Sequence, residues 1–146
     1  MPFRGNTKKI ASVARSIQKL SDVPDRAARA VAEDISEFIQ DEFDGGADPY
    51  GRAWADLTES TLKRRPYRGF PPLTDSGDLR DSVEVTPVKG RGVVIKFVGG
   101  SRSAESAGFH QFGTENMVAR RILPNNGLPA LWREALSAAV KKAVRQ

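Results

Sequence analysis

Apolar residues recur three and four positions apart over two stretches near the start of the chain. Between Thr7 and Leu20 they are Ile10, Val13, Ala14, Ile17 and Leu20, with Lys8, Lys9, Arg15 and Lys19 off that line. This spacing predicts one amphipathic helix. Ser21-Asp22-Val23-Pro24 interrupts it, and Pro suits the first turn of a following helix. From Pro24 the stripe resumes through Ala28, Val31, Ala32, Ile35, Phe38, Ile39 and Glu42, predicting a second helix that ends near Phe43, at Asp44-Gly45-Gly46. Asp25 near its start complements the helix dipole.

From Gly45 to Asp75 the periodicity fades and breakers accumulate: Gly45, Gly46, Pro49, Gly51, Pro66, Gly69, Pro71 and Pro72. Within this stretch Leu57 to Arg65 predicts a short helix before Pro66. Loops this long in a small domain are functional or act as interaction arms. Asp75 to Asp81 reads as a capped helical turn. Alternation over Ser82 to Val88, the turn Lys89-Gly90-Arg91-Gly92 and the apolar run Val93 to Val98 predict a β-hairpin. Ala107 to Phe112 reads as a helical turn, and Met117 to Pro124 as an extended piece or third strand. Pro129 to Val144 predicts a closing helix whose apolar face is Leu128, Trp132, Leu136, Val140 and Ala143. Helices, then a hairpin, then a helix indicate an α+β fold rather than alternating α/β. The expectation is one domain over residues 1–146 with an extended loop at about 45–75.

Composition bounds the chemistry. The 146 residues suit one domain and suffice for a core without staples. With no Cys, disulfide frameworks, Cys-rich zinc sites and thiol nucleophiles are excluded. Mean hydropathy is −0.44 and no apolar run approaches a membrane span, so no membrane partner is expected. The start lacks the apolar stretch of a signal peptide, which predicts retention in the cytosol. The 23 Lys and Arg against 18 Asp and Glu give a net charge of +5, interspersed as on a solvated surface.

Candidate catalytic groups find little support. Asp75, Asp78 and Asp81 recur every third position, which suits either a divalent cation or, with Asp75 as N-cap, a helix start. No His or Glu stands at metal spacing beside them. Asp44-Gly-Gly-Ala-Asp48 opens like a calcium loop but has Pro49 and Ala55 where Gly and Glu are required. His110 is the lone histidine, flanked by Phe109 and Phe112, with no strained nucleophile turn in the chain. It reads as a structural hydrogen-bonding residue. Gly99-Gly100-Ser101 lacks the remainder of any phosphate-binding signature.

Charge patterning is more informative. Lys63-Arg64-Arg65-Pro66-Tyr67-Arg68 is the densest basic run, whereas Glu33 to Asp48 holds seven carboxylates and no Lys or Arg. A basic run with an aromatic inside it suits phosphate and base stacking, a solvated loop, or an arm that meets an acidic neighbour.

Three segments in order resemble a known family. Gly46-Ala-Asp-Pro-Tyr-Gly-Arg-Ala-Trp54-Ala-Asp-Leu57 with Ser60-Thr-Leu-Lys63 is similar to a stretch common in small tailed-phage neck proteins. Leu73-Thr-Asp-Ser-Gly-Asp-Leu-Arg-Asp-Ser82 resembles their L-x-D-[ST]-G-x-L-x-x-S element. His110-Gln-Phe-Gly-Thr114 with Met117-Val-Ala-Arg-Arg-Ile-Leu123 resembles their H-x-x-G-T…M-P-A-R-P-F-L segment, departing from it at Val118, Arg121 and Ile122. Together these resemble the phage virion morphogenesis (tail-completion) family.

The resemblance implies a non-enzymatic virion protein that completes the tail end and joins tail to DNA-filled head, without a cofactor. The implied partners are further copies in a ring and other neck, head-connector, tail-terminator or tail-tube proteins, with non-specific contact to packaged DNA as an added possibility. It implies a location in the virion neck, and in the host cytoplasm during assembly. Partner-contact candidates are Trp54, Leu57, Lys63, Arg64, Arg65, Tyr67, Arg68, Phe70, Arg120 and Arg121. Asp75, Gly77, Leu79, His110, Gly113 and Thr114 are the candidates for holding the fold. As a contact anchor, Trp54 predicts that Trp54→Ala folds but fails to assemble; as a core residue, it predicts an unfolded variant. The rival reading is a small nucleic-acid-binding domain using Lys63 to Arg68 with Lys141, Lys142 and Arg145; a metal-dependent nuclease on Asp75, Asp78 and Asp81 is third.

Overall fold

Helix α1 spans Val23–Gly45 and organises everything around it. The computed structural model describes residues 22–64, 72–73, 77–90, 92–98 and 101–145, and for 101–105 the backbone alone. The expected helix over Thr7 to Leu20 lies outside them. Pro24 sits in the first turn of α1, and Gly46 ends the helix in a left-handed conformation (φ 66°), donating its N–H to the Glu42 carbonyl. The buried positions Ala27, Ala28, Val31, Ala32, Ile35, Ile39, Glu42 and Phe43 follow the helical period anticipated from Ala28 onward.

The remaining elements are α2 (Glu59–Arg64), α3 (Asp78–Asp81), β1 (Val83–Val88), β2 (Gly92–Phe97), α4 (Ser101–Phe112) and α5 (Ala130–Arg145). The two strands form the expected antiparallel hairpin, with Val83 opposite Phe97, Val85 opposite Ile95 and Pro87 opposite Val93. Those pairs share one face. Val83, Val85, Val93, Ile95 and Phe97 pack on the core, while Glu84 and Lys96 pair across the exposed face. Both the hairpin and α5 pack against α1, so helices and a small antiparallel sheet make the α+β fold read from the sequence.

Three local expectations change and a fourth is narrowed. The α5 face that is buried is Trp132, Ala139 and Ala143, with Ala135 beside them, whereas Leu128, Leu136 and Val140 are exposed. Small side chains let α5 approach the alanine-rich start of α1 closely, and Arg26 of α1 donates to the Ala143 carbonyl at 2.9 Å. Hydrophobicity ranks Leu and Val first; close helix packing selects Ala. Helix α4 runs three turns, from Ser101 rather than Ala107. Residues 117–124 form no strand, which leaves the extended-piece reading, with a single bridge joining Thr114 to Met117. At α3 the N-cap is Gly77 (φ 84°), not Asp75, because the chain enters that turn through a left-handed residue.

Candidate functional site

The first family-like segment is a small looped hairpin pinned to the core. Asp48 Oδ1 accepts the Tyr50 and Arg52 amides at 2.9 Å each, Asp48 N–H donates to the Arg52 carbonyl, and Gly51 takes φ 86° at the tip. The turn returns the chain so that Ala47 bridges Ala53 and Trp54 N–H meets the Gly46 carbonyl at 2.8 Å. Trp54 then drops inward. It is 5% exposed, packs edge-on to Phe43 at 5.6 Å, and its Nε1–H donates to the Arg121 carbonyl at 2.8 Å. Tyr50 ties the same loop to the other end of the chain, its hydroxyl donating to the Gly127 carbonyl and accepting the Asn126 amide.

The third segment is a clamp. Gln111 Oε1 accepts the Ile122 and Leu123 amides at 2.9 Å, and its Nε2 donates to the Leu123 carbonyl at 2.8 Å. One side chain thus satisfies three backbone groups of a segment with no strand neighbour. Gly113 (φ 74°) is obligatory in shape as well as conformation, since a Cβ there would sit 2.9 Å from the Met117 carbonyl oxygen. Thr114 and Met117 exchange backbone hydrogen bonds, and the His110 carbonyl accepts the Arg120 amide at 2.7 Å. Ile122, where the family pattern has Phe, is completely buried, whereas Val118 and Arg121 depart from Pro at exposed positions.

Arg120 is buried, and its guanidinium donates to the Ala55 and Asp56 carbonyls at 2.7 and 2.8 Å. It staples the first segment to the third. Of the contact candidates, Trp54 and Arg120 are thus buried within their own subunit, each hydrogen-bonded to backbone carbonyls of another segment. In the second segment Leu79 packs on the core, and buried Ser82 donates its hydroxyl to the Leu79 carbonyl at 2.6 Å. Arg80 reaches α1, bonding Gln40 at 2.6 Å and pairing with Asp44 at 2.7 Å.

The other contact candidates divide. Lys63 and Arg64 are exposed on α2, none of whose residues is buried; Arg121 is exposed and Leu57 half-buried. Arg65, Tyr67, Arg68, Phe70 and Asp75 lie outside the described residues. Among those described, no group of three or more His, Asp or Glu is placed to hold a metal ion, and no helix is long and apolar enough to cross a membrane.

Glu42 lines a groove that no sequence motif marks. The C-terminal half of α1, the 47–51 turn and the start of α5 enclose a groove of about 470 Å³, lined by Phe38, Asp41, Glu42, Tyr50, Leu131 and Trp132 among others. Glu42 is 7% exposed and neither carboxylate oxygen has a hydrogen-bond partner. Burial, and secondarily the nearby Asp48 carboxylate, push its pKa up to about 9. The signal was its place on the α1 apolar stripe, where the other positions are hydrocarbon.

Neither a curated protein nor a solved structure matches the chain. The model of the phage virion morphogenesis family matches residues 6–141, a span that includes all three fastened segments. The chain belongs to the phage virion morphogenesis family.

Proposed function

We propose that this chain is a non-catalytic structural component of the phage neck, which completes the head-proximal end of the tail and joins it to the DNA-filled head as part of an oligomeric ring. Family membership supports a role in virion assembly. The observation that carries the finer reading is an apolar surface left over once the three segments are fastened. Phe112 is 82% exposed at the end of α4, with Phe109 and Val118 exposed on the same stretch of chain. Phe109 and Phe112 stand three residues apart on one face of α4, and large exposed apolar side chains of this kind mark surfaces that meet another protein.

Electron microscopy of lysates from a phage or prophage lacking the gene tests this. Filled heads beside detached tails of normal length are expected; intact infectious particles would remove the neck assignment. A DNA-binding reading draws on the exposed cations Lys63 and Arg64 and on Lys141, Lys142 and Arg145 at the end of α5. It requires an affinity for DNA that collapses as salt is raised.

A further inference from the structure

We propose that the groove beside Glu42 receives the cationic end of α2, Lys63 and Arg64, from a second copy of this chain. The inference rests on the assembly reading above and names the contact that would build the assembly.

Three observations converge on it. The groove carries two acidic groups, Asp41 exposed on it and Asp48 in the turn that closes it, and Glu42 lines it as a protonated carboxyl with both oxygens unpartnered. The start of α5 also borders the groove, but the partial positive charge of a helix N-terminus, about half an elementary charge, offsets only a fraction of the Asp41 and Asp48 charge. A buried carboxyl without partners is a costly arrangement in a lone subunit. An incoming guanidinium or ammonium supplies the counter-charge for Asp41 and Asp48, and an N–H donor beside the protonated, unpartnered carboxyl of Glu42.

The chain also carries the complementary element. Helix α2 has no buried residue and ends in exposed Lys63 and Arg64, at the start of the densest basic run in the sequence. Among the described residues, no ion pair joins these cations to Asp41, Glu42 or Asp48 of the same copy. Phe38, Leu131 and Trp132 give the groove apolar walls suited to the aliphatic stems of Lys and Arg. Donor and acceptor are different surfaces, so the contact is head-to-tail, and repeating it generates a ring when the rotation closes.

Sedimentation equilibrium of the full chain at low salt reads the contact directly. Wild type is expected to self-associate, and Asp41→Lys alone or Lys63→Glu with Arg64→Glu is expected to weaken association by about tenfold or more. All three positions are exposed, so circular dichroism should show each variant folded. An equimolar mixture of the two variants should recover association, because each reversed acceptor then meets a reversed donor. A wild type that stays monomeric, variants that associate like wild type, or a mixture no stronger than its components would each overturn the proposal. Complementation separates this from the neck reading. If deletion detaches tails and the Asp41→Lys gene restores particles fully, the neck role stands and this contact falls. If Asp41→Lys fails to restore particles while self-association is intact, the groove takes another protein and the second copy is overturned as occupant.

Discussion

Replacing Glu42 by Gln removes a carboxyl group that burial keeps protonated far above its ordinary range. The folded-state pKa is about 9 against an ordinary value of 4.5, so between those pH values the native chain holds one proton more than the unfolded chain. The stabilisation linked to that proton is complete below pH 4.5, declines as pH rises through the window, and is gone above about pH 9. At 1.36 kcal/mol per unit, three units of the window, from pH 5 to pH 8, correspond to about 4 kcal/mol. That is a large share of the ~5–15 kcal/mol that holds a domain together. Gln has nearly the same shape and does not titrate. The stability of wild type minus that of Glu42→Gln should therefore fall steadily with pH, whatever the other ionisable groups contribute to both. Urea unfolding followed by the fluorescence of buried Trp54 and Trp132 at pH 5, 6, 7 and 8 measures the difference. A difference that changes by less than about 1 kcal/mol over that range would refute the argument that Glu42 is desolvated in the native subunit.

Trp54→Ala removes an indole packed on Phe43 and bonded to the Arg121 carbonyl, and should cost about 3–5 kcal/mol in a urea melt, with unfolding rather than selective loss of assembly as its phenotype. Gly113→Ala places a Cβ against the Met117 carbonyl oxygen at a left-handed backbone position; a loss of about 1–3 kcal/mol is expected, and an unchanged melting temperature would contradict the clamp geometry. Phe112→Ser, at an 82% exposed position, should leave stability within about 0.5 kcal/mol of wild type yet reduce particle yield in complementation, and full yield would take Phe112 out of the contact surface.

Local chemistry made much of this chain legible. A 3.6-residue stripe with Pro24 at its start and Gly46 beyond its end defines α1, because helix period and end signals are properties of neighbouring residues. The hairpin follows from alternation around a Gly-containing turn for the same reason. Three ordered segments identified the family, and the family match confirms it. The start of helix α4 is hard to read in the sequence because its first residues follow Gly99-Gly100 and carry little amphipathic pattern.

What tertiary structure alone decided is which groups of similar type face inward. Trp54 was compatible with either a partner or its own core until the backbone brought the Arg121 carbonyl within 2.8 Å of its N–H. Arg120 and Arg121 are adjacent and alike in sequence. One is buried on the Ala55 and Asp56 carbonyls and the other is exposed, because only one side of that segment meets the Trp54 loop. On α5 the distance to α1 selected alanines over Leu136 and Val140. Glu42 was visible on the apolar stripe, but its lack of partners depends on what α5 and the 47–51 turn place around it. Sequence carries periodicity and chain punctuation; partners separated by 60 or more residues are brought together only when the whole chain has packed, as with Trp54 and Arg121 at a separation of 67.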